Sequence, residues 1–323
     1  MFAANALTGV TVLDLTRLLP GPMATRWLVE MGARVIKIED RGAGDYMRAM
    51  NPALFEMANR GKEFAALDLK SEADREEFLA LVDTADVVVE GFRPGVMERL
   101  GVGWETLRAR NPRLVYVAIT GYGHGSRYRD MAGHDINYLA MAGVLDLIGV
   151  AGGAPVVPGV QIADLAGGSM YAVMGLLAAL SARERTGEGS FVDAGMTQGA
   201  ALLLPVAYAA AEAGRTMRRG EDVLCGRYAC YNVYEARDGR YVAVGALEGK
   251  FWAALCRGLG REDLIGEQFA EDPRRSEVIG IVAGIMRERD AEEWFSLLGD
   301  ADACLTPVRT AAEGREDFGG GLI

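Results

Sequence analysis

Gly9-Val-Thr-Val-Leu-Asp-Leu15, a break at Pro20-Gly-Pro22, the run Met23–Met31, and Ala33-Arg-Val-Ile-Lys-Ile38 closing on Glu39 decide the fold. The first and last stretches are short, apolar and rich in β-branched residues, the pattern of buried strands. The run between them repeats apolar residues at helical spacing and stops at Gly32. The stretch is therefore a βαβ unit of about 30 residues. It carries no GxGxxG, so the build is Rossmann-like without support for a nicotinamide or flavin dinucleotide site.

The same alternation continues outward. Strands are expected at 64–69, 85–90 and 114–119, with helices at 71–84 and 104–110 between them. Strands alternating with helices predict a parallel, doubly wound sheet with ligands at the carboxyl ends of its strands. The loops there are 18–22, 39–45, 91–95 and 120–129. Beyond residue 130 the pattern turns to long helices at 136–149, 168–184 and 196–214, with a short strand at 190–193. A hairpin follows at 229–244, turning on Asp238-Gly239, then helices at 250–259, 277–288 and 291–298. The fold class is α/β: a Rossmann-like parallel-sheet large domain (1–195), a helix and linker (196–219), a small α+β domain (220–300), and a C-terminal segment (301–323) returning towards the large domain. Gly319–Gly321 is expected to lack fixed structure.

Half of the 323 residues are hydrophobic and the net charge is −11. A basic footprint is missing, so no nucleic-acid partner is expected, and an anionic ligand must be met by local cations or helix N-termini. The four cysteines show no CxxC spacing. They read as reduced thiols of a cytoplasmic protein, and no metal site is expected. The first eight residues lack the basic and apolar regions of a signal peptide. The apolar run 170–182 falls short of the roughly 20 residues that span a bilayer, so no membrane association is expected.

Two residue neighbourhoods carry chemistry. The only two histidines are His124 and His134. His134 stands in Met131-Ala-Gly-His-Asp-Ile-Asn137 at the start of a helical run, and Asp164 stands in Gln161-Ile-Ala-Asp-Leu-Ala-Gly-Gly168 before another. An imidazole suits a general base near neutral pH. A carboxyl suits the matching acid when burial raises its pKa, and Asp164 sits among Val160, Ile162, Leu165 and Ala166. An Asp before a helix is also an ordinary N-cap. Gly167 and Gly168 would let backbone N–H groups approach a developing enolate oxygen. Asp135 is the candidate in this neighbourhood to orient the imidazole. Arg41, Arg60, Lys62 and Arg93 are the local cations for phosphates. His124 reads as a loop residue and Asp193 as a structural cap.

Leu19-Pro-Gly-Pro22, Gly32-Ala-Arg-Val-Ile-Lys-Ile-Glu39, Asn59-Arg-Gly-Lys62, Leu67-Asp-Leu-Lys70, Glu90-Gly-Phe-Arg-Pro-Gly95 and Gly121-Tyr-Gly123 together resemble the class III CoA-transferase (CaiB/BaiF) superfamily. Ala132-Gly-His-Asp-Ile-Asn-Tyr138 and Tyr241-Val-Ala-Val-Gly-Ala-Leu-Glu248 resemble its racemase branch. The resemblance implies an interlocked homodimer with the active site between subunits and an acyl-CoA substrate. It implies racemisation of 2-methylacyl-CoA thioesters in lipid metabolism. His134 and Asp164 would flank the α-carbon, Glu248 of the other subunit would partner the imidazole, and Tyr138 would line the substrate site. No cofactor is expected, CoA being part of the substrate. The alternative is a CoA transferase with Asp164 as nucleophile. The chain stops sooner after Cys304-Leu-Thr-Pro-Val308 than the family pattern, which bears on stability and dimer closure.

Overall fold

A computed structural model describes residues 3–319. The glycines at 320 and 321, expected to lack fixed structure, lie outside the described residues. The chain divides into two compact units, residues 1–145 with 157–208 and residues 146–156 with 209 onward.

The first unit is built on a six-stranded sheet in the order β3-β2-β1-β4-β5-β6. Its strands are β1 (Thr11–Leu15), β2 (Arg34–Glu39), β3 (Glu63–Ala66), β4 (Val87–Glu90), β5 (Val115–Thr120) and β6 (Phe191–Gly195). All five pairings are parallel. The opening βαβ stretch supplies β1, the helix Pro20–Glu30 and β2, with Val12 opposite Val35. Strand order reverses between β1 and β4, where a doubly wound sheet opens its ligand crevice. One face buries Leu13, Ile36, Phe78, Val88, Leu107 and Tyr116. Hydrophobic burial of this kind is the main favourable term in folding.

The expected helix over 136–149 is shorter: Asp135–Ala142, ended by Gly143 at φ 85°. A left-handed glycine is a common helix stop. The expected helix over 196–214 is two pieces, Met196–Ala201 and Pro205–Glu212, because proline lacks the N–H that would continue the ladder. The expected helix over 168–184 starts earlier, running from a π-helical segment, Ala163–Met170, into Tyr171–Thr186. The joined helix, Ala163–Thr186, is 24 residues, long and apolar enough to cross a bilayer. That corrects the expectation of a run too short to span. Here it packs on the sheet and buries Val173, Leu176 and Leu180.

The second unit holds an antiparallel sheet of β7 (Tyr231–Glu235), β8 (Tyr241–Gly245) and β9 (Leu305–Pro307). The hairpin turns at Asp238-Gly239 as expected. The C-terminal segment belongs to the second unit. It forms β9, with Leu305 opposite Val244, and a last helix, Ala311–Phe318, whose Glu313 pairs with Arg240 at 3.0 Å. The physical reason is an unpaired edge of β8 that β9 covers. The small domain also takes residues 146–156, which the sequence reading put in the large one; Arg219 holds them through the Gly153 carbonyl at 3.2 Å.

Candidate active site

A cavity of about 690 Å³ opens at the carboxyl ends of β1, β4, β5 and β6. The turn Thr16–Gly21 follows β1 and lines it, as does Gly91–Pro94 after β4. His134, Asn137, Tyr138 and Asp164 line it from the helices. All of these residues belong to the first unit.

His134 immediately precedes the helix Asp135–Ala142 in extended backbone, φ −130°. Its N–H donates to Asn137 Oδ1 at 3.1 Å, which satisfies an otherwise orphaned helix-start donor and leaves the imidazole exposed at the cavity. Tyr138 lies beneath it. Its hydroxyl donates to the Gly133 carbonyl, and its ring meets Tyr122 edge-on with centroids 5.2 Å apart. A Cβ on Gly121 would come within 2.5 Å of that ring, so the glycine of the Gly-Tyr-Gly motif makes room for Tyr138. Burial, then the nearby Asp164, pushes the Tyr138 phenol up to about 12, so it acts as a neutral wall.

Asp164 is not the N-cap of its helix; Ile162 holds that position and Asp164 lies in the first turn of the π segment. Its N–H donates to Asp135 Oδ1 at 2.9 Å, so Asp135 braces Asp164 in addition to neighbouring His134. Burial pushes the Asp164 carboxyl up to about 6; Asp135 adds to the shift and His134 pulls against it. A carboxyl of this kind can give or take a proton near neutral pH. Single π turns recur at functional sites.

Gly167 and Gly168 are buried and do not line the cavity. Their close approach is to other helices. A Cβ on Gly167 would lie 2.5 Å from the Met196 carbonyl oxygen, one on Gly199 would lie 2.0 Å from the Gly167 oxygen, and one on Gly168 would lie 3.2 Å from Pro20 Cβ. They let the π segment pack at backbone distance, which corrects their reading as enolate contacts. Ser169 Oγ donates to the Pro20 carbonyl at 2.6 Å and ties the same segment to the turn after β1.

The cations separate into four cases. Arg93 lines the cavity shared by His134 and Asp164. Arg41 lines a second cavity of about 510 Å³ at the ends of β1, β2 and β3, with its guanidinium held by Asp74 at 2.6 and 3.0 Å. Arg60 is exposed and lines neither. Lys62 has a side chain with no exposed surface, bound to Asp14 Oδ2 at 2.9 Å. It cannot reach a phosphate, which corrects its reading as a ligand cation; a lysine enclosed with a carboxylate stays to neutralise it.

Sequence reading passed over Arg17 and Lys70. Arg17 and Phe92 line both cavities. The Arg17 guanidinium lies 2.8 Å from Asp40 and 5.2 and 5.3 Å from the Tyr46 and Phe92 ring centroids. Lys70 lines the second cavity, and its ammonium has no ion-pair partner among the described residues. The available signal was position: a cation directly after β1, and another closing Leu67-Asp-Leu-Lys70.

His124 and Asp193 are more than a loop residue and a cap. Asp193 lies within β6 and accepts the His124 N–H at 2.8 Å. His124 Nε2 is 4.0 Å from Glu90 Oε1. Burial pushes the Glu90 carboxyl up to about 8, and Glu90 Oε2 accepts the Phe92 N–H at 2.7 Å, forming the turn that lines the cavity. Glu248 belongs to the second unit, exposed at the start of the helix Gly249–Gly258.

Known proteins agree with this architecture. Human α-methylacyl-CoA racemase is 36% identical over 310 residues, covering 95% of this chain and 79% of the racemase. Acetyl-CoA:oxalate CoA-transferase of Acetobacter aceti is 35% identical over 321 residues, covering 94% of this chain and 81% of the transferase. The crystal structure of a CAIB/BAIF family protein from Brucella suis superposes with a TM-score of 0.84 at 29% identity, over 97% of this chain and 86% of that one. The family model described as CoA-transferase family III matches residues 7–318. With the strand-end cavity and nearly the full length matched, the chain is an enzyme that belongs to CoA-transferase family III.

Proposed function

We propose that the enzyme racemises 2-methylacyl-CoA thioesters. The observation that carries the reading is an imidazole and a carboxyl on one cavity, the carboxyl held near neutral pH by burial and by Asp135. One of the pair removes the proton from the α-carbon, leaving an enolate conjugated with the thioester carbonyl. The other returns a proton to the opposite face. A 1,1-proton transfer of this kind calls for no redox cofactor. The wall made by Leu18, Leu19, Met47 and Met196 suits an acyl chain, and methionine adapts to varied chain shapes. The second cavity suits the nucleotide of CoA: Lys70 and Arg41 for phosphate, the Tyr46 and Phe92 rings beside Arg17 for the base. Similarity to human α-methylacyl-CoA racemase supports the same reading.

The proposal includes a homodimer in which Glu248 of a second copy meets the imidazole. Exposed Met170, Met174, Leu177, Leu202 and Leu203 give an apolar surface for that copy. Native mass spectrometry reporting only monomer at micromolar concentration would remove this part.

Incubation with a 2-methylacyl-CoA in deuterium oxide is expected to give α-deuterium wash-in and loss of optical activity. Absence of exchange across a panel of such thioesters would overturn the racemase reading. A CoA transferase is the second reading, favoured by the similarity to acetyl-CoA:oxalate CoA-transferase. There the Asp164 carboxylate attacks the thioester carbonyl and expels CoA thiolate, and the thiolate then attacks the Asp164 carbonyl of the mixed anhydride and releases the acid. Mass-spectrometric capture of CoA on Asp164 would favour it.

A further inference from the structure

The turn between β1 and Pro20 is held from behind by buried charges. Leu18 has φ 66°, the left-handed region that a branched side chain rarely enters. Its N–H donates to Asp45 Oδ1 at 2.9 Å, and the same oxygen accepts the Met47 N–H at 3.0 Å. Lys37 Nζ lies 3.1 Å from Asp45 Oδ2 and donates to the Thr16 carbonyl at 2.7 Å. Neither the Lys37 nor the Asp45 side chain has any exposed surface. Asp14 Oδ1 accepts both the Thr16 N–H, at 2.9 Å, and its hydroxyl. The residues on either side of Arg17 are thus fixed by charges that never meet solvent. Leu18 itself lines the cavity shared by His134 and Asp164.

We propose that Asp45, backed by Lys37, is a positioning residue that keeps Leu18 left-handed, so that the Thr16–Pro20 turn offers the acyl thioester one fixed wall. The inference rests on the racemase reading only in naming that ligand. Without the Asp45 acceptor the Leu18 N–H loses the partner that favours its left-handed φ, and the wall moves while His134 and Asp164 keep their places.

Two comparisons test it. Leu18→Gly against Leu18→Ala needs no disturbance of the buried charges. At a positive φ glycine is the more stable of the two, and at an ordinary φ alanine is. Leu18→Gly is therefore expected to melt above Leu18→Ala, because the Asp45 acceptor still holds position 18 left-handed in both variants. A lower melting point for Leu18→Gly would overturn the proposal. The second comparison removes the ion pair whole, as Lys37→Met with Asp45→Ala. Hydrogen exchange at the Leu18 amide is expected to quicken at least tenfold and kcat to fall about tenfold, with affinity for free CoA within threefold of the parent. Unchanged Leu18 exchange in the folded double variant would also overturn it; if that variant does not fold, the glycine–alanine order decides. A parent enzyme that binds CoA but exchanges no α-proton removes the racemase reading instead, while the melting order still judges the φ of Leu18 and the amide exchange the role of Asp45.

Discussion

Asp14 and Asp164 are carboxyls of the same unit, and burial pushes both upward. They end in opposite states. At Asp14 the charges of Lys62 and Lys37 and the hydroxyls of Thr16 and Thr25 reverse the effect and hold the carboxyl well below its usual range. At Asp164 the nearest carboxyl, Asp135, adds to burial, and only His134 opposes it. The difference teaches that enclosure sets the size of a perturbation and the neighbours set its use. A carboxylate ringed by cations is a fixed anchor; one left beside another carboxylate keeps a proton to exchange.

The largest effect should come from the unanchored side. His134→Ala and Asp164→Asn are each expected to lower α-deuterium exchange by roughly 10²–10⁴-fold, the range for removing a general acid or base, with little change in melting temperature. Near-parental exchange in either variant takes that residue out of the chemistry. On the anchored side, Lys62→Met leaves Asp14 enclosed with one cation fewer. A loss of about 3–5 kcal/mol in chemical denaturation is expected, with much of it recovered when Asp14→Asn is added. A loss under 1 kcal/mol would mean that the pair is not the anchor described.

Glu90 sharpens the contrast because it is buried with no lysine beside it. Its carboxyl is raised to about 8 from an ordinary 4.5, so the folded chain holds that proton more tightly than the unfolded chain does. The associated stability is fully present below about pH 4.5 and is lost as pH rises through 8. The parent should therefore lose melting temperature between pH 5 and 8, and Glu90→Gln should flatten that slope; equal slopes would contradict the assignment. The smallest effect concerns Asp135. Asp135→Asn removes the charge that lifts Asp164, so the acid-side inflection of the pH–rate profile should fall, by about one unit or less. An upward move would mean that Asp135 lowers the Asp164 pKa.

The two regions also differ in how far the chain order revealed them. β1 and β2 were readable because their signal is local: Thr11–Leu15 and Arg34–Glu39 are short runs rich in aliphatic and β-branched residues. His134 and Asp164 were readable as a motif, and the cavity brings both to one place. Lys62 was misread because its partner, Asp14, is 48 residues earlier in the chain, and a lysine in a motif looks the same whether it faces phosphate or a buried aspartate. Gly167 and Gly168 were misread for a related reason: what a glycine makes room for is a property of the opposite helix. β9 escaped notice because three residues carry too little periodicity to declare a strand, and only the open edge of β8 selects it.

Gly167 and Gly199 meet backbone against backbone, with no room for a side-chain carbon on Gly199. A methyl group added to either one would act as a wedge, and the segment that would tilt is the one carrying Asp164. Divergence that adapts the cavity to bulkier or slimmer ligands therefore has two unequal routes. Exchanges at the flexible methionines reshape the chamber one side chain at a time, whereas any growth at this glycine pair displaces Asp164 before it enlarges anything.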